Sequence, residues 1–173
     1  MNKLLIFIIL TFSSILFFTG CKKPLILSKG NLSFSSDTLV FDTVFTTIGS
    51  TTKHFKLYNK QKQTVIIDQI ELMGGSNSPF RINVDGLSGT NFAEIELEGN
   101  DSLYVFVEVT LNPNSANLPM IIEDKIRFRT NGKDQYVQLV VWGQDAYFHY
   151  SFISQGIFDL NEGTWPNDKP HVI

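Results

Sequence analysis

The sequence has only one cysteine and no large excess of charge, and both absences limit what the chain can be. With Cys21 as its sole cysteine in 173 residues, the chain cannot form an intramolecular disulfide. A fold outside the cytoplasm must therefore be held by its hydrophobic core. The 14 Lys and Arg residues face 17 Asp and Glu residues, for a formal charge of −3. This balance argues against a nucleic-acid partner, and the length fits one globular domain.

The familiar catalytic and metal-binding motifs are also missing. There is no nucleophile elbow, phosphate-binding loop, dinucleotide-binding fingerprint or EF-hand. Three histidines lie far apart without metal-ligand spacing: His54, His149 and His171. Three glutamates alternate along one predicted strand and share a face that could hold a cation, although an ordinary solvated face explains them better: Glu94, Glu96 and Glu98. The sequence predicts a non-enzymatic protein with no catalytic residues, metal or cofactor.

The N-terminus shows an ordered set of targeting features. Lys3 precedes a 15-residue apolar run from Leu4 to Phe18, and small residues then lead to Cys21. As a helix, this run would cover roughly 22 Å, short of the ~30 Å hydrocarbon core of a bilayer. The pattern predicts a cleavable signal rather than a permanent membrane span.

The sequence Phe18-Thr19-Gly20-Cys21 resembles the lipobox of bacterial lipoproteins. This resemblance implies cleavage between Gly20 and Cys21, a signal peptide over residues 1–20, and a lipidated tether over residues 21–31. Diacylglycerol and acyl chains on Cys21 would then anchor the protein to a membrane. The alternatives are an ordinary secretory signal with a chance cysteine and a buried core thiol.

The residues after the cysteine bear on localisation. In Bacteroidota-like lipoproteins, which this chain resembles, acidic residues directly after the cysteine tend to mark export to the cell surface. Here Lys22 and Lys23 follow instead. We expect an outer-membrane lipoprotein of the cell envelope, with the periplasmic face favoured over the cell surface.

From Ser33 onward the hydrophobic period is two, and no stretch of ten or more residues shows a helical apolar stripe. On one predicted central strand, apolar residues from Leu103 to Leu111 alternate with a second face that carries Tyr104 and Phe106. Strands are predicted near 32–35, 38–46, 53–58, 64–72, 80–84, 92–98, 102–111, 122–130, 135–142 and 146–152. Asn131-Gly132 predicts a type I′ hairpin, and Asp85-Gly86 marks another strand end. The sequence predicts an all-β protein.

Seven to nine strands at this spacing predict an immunoglobulin-like antiparallel β-sandwich over residues 32–144. Residues 41–59 resemble the first hairpin of the hydin-like immunoglobulin domains, also called ASH domains and related to the major sperm protein fold. Later segments follow in family order: 78–82, 107–113 and 139–144. In the first segment we expect a tight reversal at Gly49-Ser50, inward-facing Phe55 and Leu57, and a strand end capped by Asn59.

The last segment, residues 145–173, is rich in aromatic residues. In similar envelope lipoproteins of Bacteroidota, the hydin-like domain precedes a larger, often β-helical region. The resemblance implies that this chain is the N-terminal part of a longer protein, with 145–173 as a linker or the start of a truncated downstream domain. The alternative is a last edge strand with a frayed end. Four aromatic residues could form a stacking platform for sugars, or could serve as core and linker contacts: Trp142, Tyr147, Tyr150 and Trp165.

Together these features predict a non-catalytic, lipid-anchored envelope module. It would act as a spacer, adhesion or protein-assembly domain that presents a downstream region, and it would bind a protein through exposed strand edges. One alternative is a glycan-binding surface lipoprotein that uses the C-terminal aromatics. Another is the non-catalytic part of an enzyme whose active site lies beyond residue 173.

Overall fold

The computed structural model describes residues 30–112, 120–149, 152–154, 157–159 and 165–172. Strands dominate this part of the chain, with a short 3-10 helix at Gly75–Asn77. In chain order the strands are β1 (Ser33–Phe34), β2 (Thr38–Phe45), β3 (Lys53–Tyr58), β4 (Val65–Leu72), β5 (Phe80–Val84), β6 (Leu87–Gly89), β7 (Asn91–Leu97), β8 (Ser102–Val109), β9 (Met120–Thr130), β10 (Lys133–Gln144), β11 (Tyr147–Phe148), β12 (Phe152–Ser154), β13 (Ile157–Asp159) and β14 (His171–Val172).

The strands form two five-stranded sheets that pack face to face as an immunoglobulin-like β-sandwich. The first sheet has the order β1-β3-β8-β5-β6, and the second has the order β2-β10-β9-β4-β7. The all-β prediction is confirmed. The pairs within both sheets are antiparallel except β2 with β10, which run parallel and include a bulge between Val141 and Trp142.

The core forms because alternate residues of each strand face the opposite sheet. The inward residues of β8 are apolar throughout, and Val105, Val107 and Leu139 of β10 are fully buried. Aromatic rings join the two sheets. Phe128 of β9 lies 5.0 Å from Phe34 and 6.1 Å from Phe55, measured between ring centroids. The predicted inward orientation of Phe55 and Leu57 is confirmed.

Two Asx-Gly turns close two-residue hairpins. Asn131 and Gly132 have φ values of 53° and 74°, which confirms the predicted type I′ geometry between β9 and β10. Asp85 and Gly86 also have positive φ, at 51° and 84°, and they join β5 to β6. Strand β6 was not predicted, because its three exposed residues carry no hydrophobic alternation.

The prediction that residues 41–59 form a hairpin is wrong. Strands β2 and β3 belong to opposite sheets, so the segment between them crosses from one sheet to the other. The crossing is fixed by Ser50, whose N–H donates to the carbonyl of Val109 while its Oγ accepts from the Val109 N–H, at 2.8 and 3.0 Å. Strand β2 instead pairs with β10, whose second edge would otherwise stay open.

The described chain enters and leaves the sandwich at opposite ends. Near the entry, the Gln135 side chain bonds both the N–H and the carbonyl of Leu32, and Asn131 Nδ2 donates to the carbonyl of Gly30. At the exit, the Gln144 carbonyl accepts from the Thr46 N–H. Strand β10 runs from the first group to the second, so the two ends are separated by nine residues, or roughly 30 Å of extended strand.

Candidate functional site

The structure places some of the predicted site residues and leaves others outside the described residues. Gly20, Cys21 and Tyr150 lie outside them, so the signal and lipidation predictions stay predictions. Trp142 lies on the outer face of the second sheet, opposite Ile121 of β9, and is 39% exposed. Within the described part of the chain, no ring contact links Trp142 to Tyr147 or to Trp165.

Tyr147 and Trp165 belong to a stacked cluster built around two histidines. Strands β11 and β14 pair in parallel and bring His149 beside His171. The Trp165 ring lies nearly parallel to both imidazoles, at centroid distances of 4.2 Å to His149 and 4.7 Å to His171. Tyr147 lies 5.1 Å from His171. We call His149, Trp165 and His171 the histidine clamp.

Hydrogen bonds define the tautomers of the clamp when both rings are neutral. His171 Nε2 lies 2.6 Å from the Pro166 carbonyl oxygen, so this nitrogen must carry the hydrogen. His171 Nδ1 is then the acceptor for His149 Nε2, which lies 2.7 Å away. This bond joins the residue that follows β11 to the first residue of β14. Sequence spacing could not show this pairing, because the two residues are 22 positions apart.

Replacing His171 with alanine is expected to release residues 165–172. The change removes the hydrogen bond to His149 and one of the two imidazole rings that stack on Trp165. The measurement is acrylamide quenching of Trp165 fluorescence in a Trp142→Phe background, where Trp165 is the only tryptophan. We expect about twofold stronger quenching, as for a locally opened segment. His54→Ala serves as the control, and equal quenching in both variants would contradict the clamp.

An ion pair between a partly exposed lysine and a buried carboxylate holds the same segment to the end of the sandwich. Asp145 is 2% exposed, and its Oδ2 lies 3.5 Å from Nζ of Lys169. Lys169 Nζ also lies 5.5 Å from the Tyr147 ring centroid. Phe148 contacts Phe45 of β2 edge-on at 5.8 Å. These contacts give the start of the tail a defined position beside the second sheet.

The three glutamates of the predicted acidic face lie on and directly after β7. Leu97 is buried and Ile95 packs against the core, while Glu94, Glu96 and Glu98 are exposed. Glu94 has a φ of 54°, which interrupts the regular pleat of β7. Among the described residues, no group of three or more His, Cys, Asp or Glu side chains is arranged to hold a metal ion.

A second aromatic surface lies on the outer face of the first sheet and was not predicted as a site. Tyr104 and Phe106 of β8 project outward with planes within 16° of each other, and each is more than one-third exposed. His54 of β3 lies 5.4 Å from Tyr104 and 5.7 Å from Phe106, measured between ring centroids. Lys56 Nζ lies 4.4 Å from the Tyr104 ring centroid, and hydrogen bonding to Tyr104 raises the pKa of Lys56. We call these four residues the aromatic face.

A cavity of about 360 Å³ adjoins the aromatic face at Phe106. Its lining combines this ring with polar side chains from β5, β6, β8 and the residue that follows β6: Arg81, Asn83, Ser88, Glu108 and Thr90. The signal for this site in the sequence is the solvent side of β8, where two aromatics occupy positions that a half-buried strand usually gives to polar residues.

The four sheet edges carry features that oppose strand addition. Strands β1 and β6 have only two and three residues. Strand β7 is distorted at Glu94. On β2, Lys53 Nζ donates to the Val40 carbonyl at 2.9 Å, and the Thr43 N–H donates to Asp42 Oδ1 at 2.8 Å. Natural proteins protect sheet edges with short edge strands, with distorted strands and with lysine side chains that cover the edge.

Comparisons with solved structures give distant matches. No protein-family model matches the chain, and no curated protein matches it. Distant structural matches include ASH/PapD-like domain 7 of human CEP192 (13% identity, TM-score 0.39), covering 66% of this chain and 84% of that one. The CooA pilin subunit of enterotoxigenic Escherichia coli is 6% identical, with TM-score 0.42 and coverages of 67% and 99%.

Another match is a family 123 glycoside hydrolase from Clostridium perfringens, at 10% identity and TM-score 0.45. The match covers 68% of this chain but only 30% of the hydrolase.

In the described residues, no helix has the length and apolar character needed to cross a membrane.

Proposed function

We propose that the chain is a non-catalytic envelope module that is anchored through lipid on Cys21 and acts as a spacer on the periplasmic face of the outer membrane. The observation that carries the proposal is the placement of entry and exit at opposite ends of β10. A chain anchored upstream of Gly30 would pass through the sandwich and emerge roughly 30 Å further along. A segment that follows the sandwich would then be presented away from the membrane.

The core and the edges suit such a role. A sandwich with fully buried residues from both sheets keeps a fixed length under load, because close-packed interiors deform little. The blunted edges oppose sheet-to-sheet association when many anchored copies share one membrane. Because the strand edges are protected, we expect adhesion or assembly contacts on the sheet faces instead.

The first test concerns the anchor. The full chain is expressed in a Gram-negative host and labelled metabolically with a fatty-acid analogue. We expect the label on the wild-type protein and its loss in Cys21→Ser, which has no other thiol to acylate. Label incorporation that persists in Cys21→Ser would refute lipidation at this residue.

The second test concerns the spacer geometry. Because Cys21 is the only native cysteine and would be blocked by lipid, an introduced cysteine is the single site for a thiol dye. Ile121→Cys places the dye at the exit end, and Lys133→Cys places it at the entry end of the same sheet. Energy transfer to a headgroup acceptor in vesicles should be clearly stronger from Lys133→Cys. Equal transfer from both positions would contradict a spacer that stands away from the membrane.

A further inference from the structure

We propose that the outer face of the first sheet carries a saccharide-binding site centred on Phe106, next to the cavity between β5, β6 and β8. This site lies on the opposite sheet from Trp142, and it includes neither Tyr147 nor Trp165. It goes beyond the spacer role and does not depend on it.

The apolar part of the site is an ordered set of rings. Phe106 pairs with His54 of β3 on one side and with Asn83 of β5 on the other, so one ring borders both the aromatic face and the cavity. Tyr104 and Phe106 lie with near-parallel planes and centroids 5.7 Å apart, and each ring stays more than one-third exposed. An exposed aromatic ring suits the apolar C–H side of a sugar ring, as it suits other flat, partly apolar ligands.

The polar part of the site is held in place by the protein. Arg81 and Glu108 lie directly opposite each other in register, yet each bonds another partner. Glu108 Oε1 accepts from the Thr52 hydroxyl at 2.6 Å, and Arg81 Nη1 donates to the carbonyls of Ser78 and Phe80 at 2.8 and 3.0 Å. Within the described contacts, Glu108 Oε2 and the Arg81 Nη2 and Nε groups remain for a ligand.

The β5–β6 hairpin adds a second pair of polar groups. Asn83 Nδ2 donates to Ser88 Oγ at 3.1 Å, and Asn83 Oδ1 accepts from the Gly86 N–H at 2.9 Å. These bonds fix the carboxamide while the Ser88 hydroxyl keeps its own hydrogen to donate. Side chains that are already fixed lose little entropy when they bind, which favours affinity.

The chemistry of the lining selects the ligand class. The charged residues of the cavity lining are Arg81 and Glu108, whose charges cancel. A polyanion therefore gains no net electrostatic attraction there. Backbone groups of β5 and β8 are already paired within the sheet, so a peptide cannot add as a strand on this face. A neutral ligand with many hydroxyl groups satisfies both the donors and the acceptors, and its ring stacks on Phe106.

The test uses the chain of residues 1–173 and affinity electrophoresis in gels that contain dextran, laminarin, galactomannan or xylan, with heparin as the charged probe. We expect at least one neutral polysaccharide to retard the wild type. Phe106→Ala should weaken that association about tenfold, the scale of a lost aromatic stacking contact, and Asn83→Ala should also weaken it. Phe106→Tyr should keep it, because the ring remains. Retardation by heparin alone, or by none of the probes, would overturn the proposal.

Tyr136 provides a matched control for the aromatic face. It is 40% exposed on the second sheet and, like Tyr104, lies beneath a lysine, with Lys125 Nζ 4.9 Å from its ring centroid. Tyr136→Ala and Trp165→Ala should leave the retardation unchanged, whereas Tyr104→Ala should reduce it. Equal losses from Tyr104→Ala and Tyr136→Ala would show nonspecific adsorption and refute the site. None of these outcomes depends on Cys21, so the spacer proposal is tested separately.

Discussion

Asn59→Ala is expected to lower the free energy of unfolding by about 2–3 kcal/mol, because it leaves buried backbone groups without partners. Asn59 is 1% exposed. Its Nδ2 lies within 3.0 Å of three acceptors, the carbonyls of Gln63, Leu97 and Glu98, and its Oδ1 accepts from the Gln61 N–H. The expected strand-end cap is therefore confirmed, and the same side chain also joins the β3–β4 turn to the β7–β8 turn.

The measurement is urea unfolding followed by circular dichroism, with thermal unfolding as a second readout. A loss of this size should lower the midpoint temperature by roughly 10 °C. Asn91→Ala is the matched control, since Asn91 is exposed and accepts one bond from Gln69 Nε2. We expect that variant to stay within about 0.5 kcal/mol of the wild type. Similar losses from both variants would show that the buried bonds of Asn59 contribute little.

Asn59→Asp separates the donors from the shape of the side chain. The carboxylate has nearly the same size and can still accept from the Gln61 N–H, but it cannot donate to the three carbonyls. Its negative charge would also face carbonyl oxygens. We expect Asn59→Asp to be at least as destabilising as Asn59→Ala near neutral pH. A near-neutral Asn59→Asp variant would show that Nδ2 donation is not what stabilises this end of the sandwich.

The sequence allowed most strands to be placed because hydrophobic alternation reports the burial of each face directly. The inward side of β8 is an example, with Val105 and Val107 fully buried as predicted. Sheet membership is harder, because alternation shows which face is buried but not which strand lies alongside. The hairpin of β2 and β3 was implied by the resemblance of residues 41–59 to hydin-like domains, and alternation could not test it. The crossing at Ser50 sends the two strands to opposite sheets.

The candidate sites were less predictable for a similar reason. Tyr104 and Phe106 were placed on the outer side of β8, but their neighbours His54 and Asn83 come from strands far away in sequence. The pairing of His149 with His171 likewise depends on a return of the chain that no local pattern indicates. Sites that join several strands require the register between strands, which composition and spacing do not contain.

Gly99→Ala is expected to destabilise the protein by about 2–4 kcal/mol, since an added methyl group would overlap backbone rather than a movable side chain. A Cβ at Gly99 would overlap the carbonyl carbon and oxygen of Lys62 and would lie 3.1 Å from the Gln61 oxygen. Gly49→Ala is the matched control, because its Cβ would meet only Thr110 Oγ1, at an ordinary 3.6 Å. Urea unfolding should place Gly49→Ala within about 0.5 kcal/mol of the wild type, and equal losses from both glycines would refute the steric argument.

The Gly99 and Asn59 effects should not add, because both act on the contact between the same two turns. Separating the Gly99 backbone from Lys62 would also pull the carbonyls of Leu97 and Glu98 away from Asn59 Nδ2. In the double variant, the total loss is expected to fall short of the sum by about 1 kcal/mol or more, as for residues in one hydrogen-bond network. Strict additivity would mean that the close approach at Gly99 and the bonds of Asn59 stabilise the sandwich independently.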